Sequence, residues 1–135
     1  MAETIELQIV TPERLVVKDA AEEVQIPGKA GYMGILPGHA PLISELAVGE
    51  IVYRSSGQTH HLACAWGFAE VLPEKVTILA ESAERANEID ITRAEESLRK
   101  AEDRLKSGDS NLDYERALGA LQRAEVRLRV AKQKE

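Results

Sequence analysis

Between Ile91 and Ala131 the apolar residues fall into two runs at helical spacing, separated by one polar break. Ile91, Ala94, Leu98, Ala101 and Leu105 step by three and four, and Tyr114, Ala117, Leu121, Ala124, Leu128 and Ala131 repeat the pattern. Such steps put each set on one narrow seam of an α-helix, and two seams joined by a short connection close on each other as an antiparallel hairpin. The connection runs from Lys106 to Asn111. Gly108 ends the first helix, Asp109, Ser110 or Asn111 supplies an N-cap to the second, and Asp90 stands where the first helix needs its own. Alanine alternates with leucine on both seams, so the helices can approach closely while burying little area per turn. A hairpin of this kind is marginal alone and needs a body to rest on.

That body must come from the preceding residues, whose periodicity is two. Ile5, Leu7 and Ile9 alternate with polar neighbours up to Thr11-Pro12, followed by short β-type runs at 15–17, 21–26, 42–46, 50–54, 60–64, 68–72 and 75–80. Gly31, Gly34, Pro37, Gly38, Pro41, Gly49, Gly57, Gly67 and Pro73 punctuate them as turns. Many brief strands so spaced predict an antiparallel β-sandwich or flattened barrel. The expected architecture is β + α: a sandwich over residues 1–84, then the helical hairpin over 85–135. The polar stretch Arg85 to Glu88 is a hinge by composition.

At 135 residues and 44% hydrophobic content the chain can fill one compact core. Its net charge of −6 argues against nucleic acid as a partner. The charge is uneven: residues 1–89 hold 6 basic against 13 acidic side chains, residues 90–135 hold 11 against 10. An acidic body with a more basic appendage attracts it, less so in salt. No apolar run reaches the ~18 residues of a membrane span, so direct membrane insertion is not expected, nor is secretion, since the N-terminus lacks the pattern of a signal peptide. A single cysteine excludes an internal disulfide and fits a reducing compartment.

No catalytic or metal constellation is present. Cys64 lies near His60 and His61, which admits a small thiol hydrolase, but its neighbours Leu62, Ala63, Ala65 and Trp66 describe a buried, inert thiol. Glycine-loop phosphate cradles are absent, as are H-E-x-x-H and C-x-x-C. Arg123 and Arg127 lie one turn apart on the second helix, and Arg93 lies in the first turn of the first. Three guanidinium forks could hold a polyphosphate bidentately. By spacing alone such arginines are more often solvated and paired with glutamates such as Glu125. The stiff segment Gly34 to Leu42, with two glycines and two prolines, reads equally as an exposed apolar docking loop or as a tight turn packed on its own sandwich.

Three segments carry a family resemblance: GILPGHAPL at 34–42; Gly67 to Val71 with Pro73 and Val76 to Ala80; and Ile89-Asp90-Ile91-Thr92-Arg93-Ala94 opening the hairpin. In this order they resemble the epsilon-subunit family of bacterial F-type ATP synthases over most of the chain. The resemblance implies a non-catalytic stalk subunit, peripheral on the cytoplasmic face of the inner membrane, whose sandwich clamps the gamma shaft and sits on the ring of c subunits. His39, Pro41 and Leu42 would belong to the gamma-facing surface. The hairpin would have two states, folded on the sandwich or extended into the alpha/beta catalytic head, where it blocks ATP hydrolysis. No cofactor is required, but family members that bind ATP as a regulatory ligand use positions filled here by Glu84, Ile89, Asp90, Arg93, Ala94, Arg123 and Arg127. Tyr32 departs from the acidic residue of many relatives, which puts a carboxylate contact with the rotor in question. Within the family, a purely structural stalk subunit that binds no nucleotide is the alternative.

Overall fold

The computed structural model describes residues 3–133. Eight strands come first: β1 (Ile5–Val10), β2 (Leu15–Ala21), β3 (Glu23–Gly28), β4 (Gly31–Ile35), β5 (Leu42–Leu46), β6 (Gly49–Ser55), β7 (Gln58–Val71) and β8 (Lys75–Arg85). A short 3₁₀ turn, Ala86–Glu88, leads into α1 (Ile91–Lys106) and α2 (Tyr114–Ala131). The strands form one sheet in the order β2-β1-β8-β7-β5-β3-β4, with β6 bridging β3 and β7. It folds back on itself, so that the Ser55 hydroxyl at the end of β6 donates to the Ala20 carbonyl on β2 at 2.9 Å. Between the two layers lie Ile5, Leu7, Ile9, Val17, Val24, Ile26, Leu46, Ile51, Leu62 and Ile78, all at most 1% exposed. The predicted β-sandwich and helical hairpin are both present.

Three strand details differ from the sequence reading. The β1–β8 pair is parallel, whereas every other pair is antiparallel. Gly31–Ile35 is a strand rather than a string of turns. Two glycines suppress its intrinsic signal, and its pairing with β3, from Val24–Ile35 to Gly28–Gly31, supplies what local propensity withholds. The third difference is that the runs at 60–64 and 68–72 are halves of one 14-residue strand, β7.

β7 turns a corner at its middle. Leu62 and Cys64 point into the core before it; Ala69 and Val71 do so after it, so the inward parity changes from even to odd. β8 changes in the same place, with Val76, Ile78 and Ala80 inward below the corner and Ala83 inward above it. The register does not slip, since Ala65–Ser82 and Gly67–Ala80 are paired on either side of Trp66. Instead the change of face is taken up in the backbone of Trp66 (φ 50°) and Gly67 (φ 134°), which carries the ribbon from one layer into the other.

Asp90 caps α1 as expected, accepting from the Arg93 amide at 3.1 Å. Gly108 follows the last turn of α1 with φ 68°. The cap of α2 is Asp113, outside the predicted segment, accepting from the Arg116 amide at 3.1 Å. Asp109 instead closes the connecting loop by accepting from the Asn111 amide at 2.9 Å. Among the seam residues Ala94, Ala101, Ala117 and Ala124 are buried, while Ile91 and Tyr114 are exposed. α2 also buries a second stripe, Gly119, Val126 and Val130. This stripe turns to the body: Val126 and Val130 pack with Ala63, Ala86 and Ile89, and Gly119 meets Trp66. The hairpin is therefore docked through α2 on β7, β6 and β8, and α1 rides mainly on α2.

The root of the hairpin is tied down by charge. Arg14, in the β1–β2 turn, donates to both carboxylate oxygens of Glu88 at 2.9 and 3.0 Å, and Glu88 also accepts from the Arg85 amide at 3.0 Å. The Arg14 guanidinium above all holds the Glu88 carboxyl below its ordinary range, and Glu88 in turn raises Arg14. The 85–88 stretch, polar enough to read as a hinge, is clasped and partly packed, with Ala86 buried.

Candidate functional site

α2 does not lie flat along the corner of β7 and β8, and a pocket of about 290 Å³ remains between them. Ala63, Ala65, Ser82 and Glu84 form its floor; Ser97 of α1 and Ala120, Arg123, Ala124 and Arg127 of α2 form its walls. Small residues on both sides keep it open. Arg127 and Glu84 meet across it as a bidentate pair, Nε to Oε1 at 2.7 Å and Nη2 to Oε2 at 3.3 Å. Both are half-buried, and the pair joins the hairpin to β8. Arg123 places its guanidinium carbon over the Trp66 ring, 5.0 Å from the centroid.

Of the seven residues named from the sequence, three converge here: Glu84, Arg123 and Arg127. The other four stand outside the lining. Ile89 is buried at the hairpin root, Ala94 is buried in the α1–α2 seam, and Asp90 caps α1. Arg93 is exposed about one turn before Ser97, the α1 residue that does line the pocket. Glu125 is not the partner of either arginine among the described residues.

Cys64 also borders this pocket. It is 2% exposed, and burial pushes its thiol up to about 12. Neither nearby histidine serves it as a base: His61 pairs with Glu50 at 3.3 Å, and His60 stacks on the Tyr53 ring with centroids 4.8 Å apart. A thiol so displaced has a thiolate fraction of roughly 10⁻⁵ at neutral pH. Iodoacetamide should label Cys64 slowly in the native protein and promptly in denaturant. Rapid native labelling would restore the nucleophile reading.

The 34–42 segment is packed on its own sandwich at one point and leaves apolar side chains exposed elsewhere. Ile35 is buried and the Gly38 amide donates to the Pro73 carbonyl at 2.7 Å, which pins the loop to the β7–β8 turn. Leu36, Ala40, Pro41 and Leu42 remain exposed, with His39 half-buried and its Nδ1 2.7 Å from the Ala40 carbonyl oxygen. Tyr32 is half-exposed and its hydroxyl accepts from the Glu50 amide at 3.1 Å, so this side chain is tied to β6.

Two features escaped the sequence. Trp66 reads there as one more apolar residue beside a cysteine, and only the folded hairpin brings it to α2. The other is an apolar row across the outer face: Leu15, Val10, Leu79 and Phe68 are register neighbours on β2, β1, β8 and β7. Leu15, Leu79 and Phe68 are each more than half exposed. Alternation into and out of the core hides such a row, because the corner reverses the parity of two of its strands.

Comparison with known proteins agrees with this architecture along nearly the whole chain. Residues 4–86 match the family model of the ATP synthase delta/epsilon chain β-sandwich domain, and residues 87–132 match that of its long α-helix domain. The ATP synthase epsilon chain of Koribacter versatilis is 66% identical over 107 residues, covering 79% of this chain and 75% of that one. That of Nitratidesulfovibrio vulgaris strain DP4 is 48% identical over 130 residues, covering 96% and 97%. A similar fold occurs in the cryo-EM structure of the Euglena gracilis mitochondrial ATP synthase, with a TM-score of 0.82 at 24% identity, covering 96% of this chain and 82% of that one. With both halves matched in order and full-length relatives at this identity, the chain belongs to the delta/epsilon family of ATP synthase subunits, among the epsilon chains of bacterial F-type enzymes.

Proposed function

We propose that this chain is a non-catalytic central-stalk subunit that restrains ATP hydrolysis through its detachable hairpin and senses ATP at the pocket beneath α2. The observation that carries this reading is the pocket itself. Its walls come from both the sandwich and the hairpin, so a ligand bound there favours the docked hairpin by RT ln(1 + [L]/Kd). Arginines 123 and 127 are the residues to hold phosphates, and Arg93 is one turn from reach. ATP would lock the hairpin down when energy is plentiful; without it the hairpin would leave to meet the alpha/beta head.

The rest of the molecule supports the stalk role. The exposed row Leu15, Leu79 and Phe68 is the kind of surface a permanent protein partner covers, and gamma is the partner the family offers. The pinned loop with His39, Pro41 and Leu42 would extend that contact, and the sandwich would rest on the ring of c subunits. No helix among the described residues is long and apolar enough to cross a membrane. The chain would thus attach at the cytoplasmic face of the inner membrane through its partners.

Millimolar ATP is expected to raise the thermal midpoint of the isolated chain and slow hydrogen exchange in α1 and α2, and Arg127→Ala to abolish both effects. The competing reading, a structural stalk subunit without nucleotide binding, draws on the Glu84–Arg127 pair, which already neutralises one arginine. Absence of any shift at millimolar ATP decides for it.

A further inference from the structure

Trp66 occupies a position that strand geometry alone would not give it. Its φ of 50° is unusual for a residue with a side chain, and the ring leaves the core for the hairpin side of β7. There it meets α2 at Gly119, where a Cβ would stand 3.2 Å from Cη2 and 3.3 Å from Cζ2 of the indole. Glycine inside a helix is unfavourable, and here it admits the ring edge against the helix. One turn further along α2, Arg123 lies over the ring face and also lines the pocket. Among the described residues its guanidinium makes no hydrogen bond or ion pair, whereas Arg127 is engaged by Glu84.

The two arginines therefore differ before any ligand arrives. A guanidinium held by an aromatic face keeps its N–H donors free at its rim, because the attraction uses the charge and not the donors. A flexible arginine must be ordered on binding, at a cost in side-chain entropy that a held one has largely met. We infer that Trp66 is a positioning residue for the nucleotide pocket, its ring presenting Arg123 at the wall as a preformed fork for phosphate. This deepens the ATP reading above and rests on it. The first phosphate contact falls to Arg123, and Arg127 joins by giving up part of its pairing with Glu84.

Calorimetric titration of ATP into the full chain tests this with Trp66→Leu, Trp66→Phe, Arg123→Ala and the double variant Trp66→Leu/Arg123→Ala. Trp66→Leu should weaken binding about five-fold, and Trp66→Phe should recover most of the loss. In the Arg123→Ala background Trp66→Leu should have no further effect, as coupled residues require. Equal weakening in both backgrounds would make Trp66 a packing residue only and overturn the inference, as would unchanged affinity in Trp66→Leu. A second readout needs no change at Trp66, which is the chain's single tryptophan. Its emission should shift with ATP in the unaltered protein and cease to do so in Arg123→Ala; bound ATP without a shift would count against the proposal. If the unaltered protein binds no ATP, the nucleotide reading itself fails, and this inference with it.

Discussion

Gly67→Ala should lower the thermal midpoint by more than about 10 °C, the largest effect of any single methyl group in the molecule. At φ 134° the Gly67 backbone lies in a region L-residues rarely adopt, and a Cβ there would overlap the Leu79 carbonyl oxygen. It would also stand 2.8 Å from the Ala80 Cα and 2.9 Å from the Leu79 carbonyl carbon. These are backbone atoms of the paired strand, so no side chain can rotate away; β8 itself must move at the corner where both strands change layers. Backbone strain of about 1–3 kcal/mol adds to the overlap, and each kcal/mol is worth about 4–8 °C in a domain of this size. Gly57→Ala separates the two causes. Its φ is 75° but nothing lies within 4 Å of the added Cβ, so it should cost only about 1–2 kcal/mol. Similar melting of the two variants would show that the corner yields and that close packing of β7 on β8 does not require a glycine there.

The second large effect is expected at Val130→Asp. Val130 is fully buried where α2 meets Ala63, Ala86 and Ile89. A carboxylate there would have to lose its hydration without a partner, at a cost of several kcal/mol. The opposing contact is small: three valines, one of them only partly buried, an isoleucine and alanines, with full burial of each larger side chain worth about 1.5–3 kcal/mol. Undocking is the cheaper response. The hairpin should leave the sheet and, deprived of the tertiary packing that supplies most helical stability, lose much of its helix. Hydrogen exchange should then show α1 and α2 unprotected while Ile5, Leu7, Ile9 and Leu62 at the centre of the sandwich keep their protection. Loss of protection in both parts together would make body and hairpin one cooperative unit, and a hairpin that cannot leave the body cannot act as a switch.

These two results probe different depths of the same design. Gly67 sits at the corner where β7 packs on the β8 backbone beside the main core, whereas the hairpin rests on a satellite cluster, the Trp66–Gly119 contact and two ionic clasps, Arg14–Glu88 and Glu84–Arg127. Ionic clasps are screened by salt and exchangeable for other partners, so the attachment of the hairpin should weaken at high ionic strength while the sandwich core does not.

Much of this was already legible in the chain itself. Period-two alternation in Ile5, Leu7 and Ile9 and the three-four steps of the alanine seams define strand and helix locally, because each element must bury one face whatever it packs against. Asp90 as cap and Gly108 as stop are equally local, since the groups they satisfy are a few residues away. Gly31–Ile35 was hidden because its β character comes from β3 rather than from its own residues. The sheet-facing stripe of α2, Gly119, Val126 and Val130, was hidden because one helix can carry two buried faces and periodicity reports the stronger. The pairings were the work of tertiary structure alone. Arg127 with Glu84 spans 43 residues, Arg14 with Glu88 spans 74, and Arg123 meets Trp66 only because α2 crosses the corner of β7. Spacing along the chain specifies which residues share a face; which faces meet is decided by the global packing that fills one core and leaves a pocket beneath the hairpin.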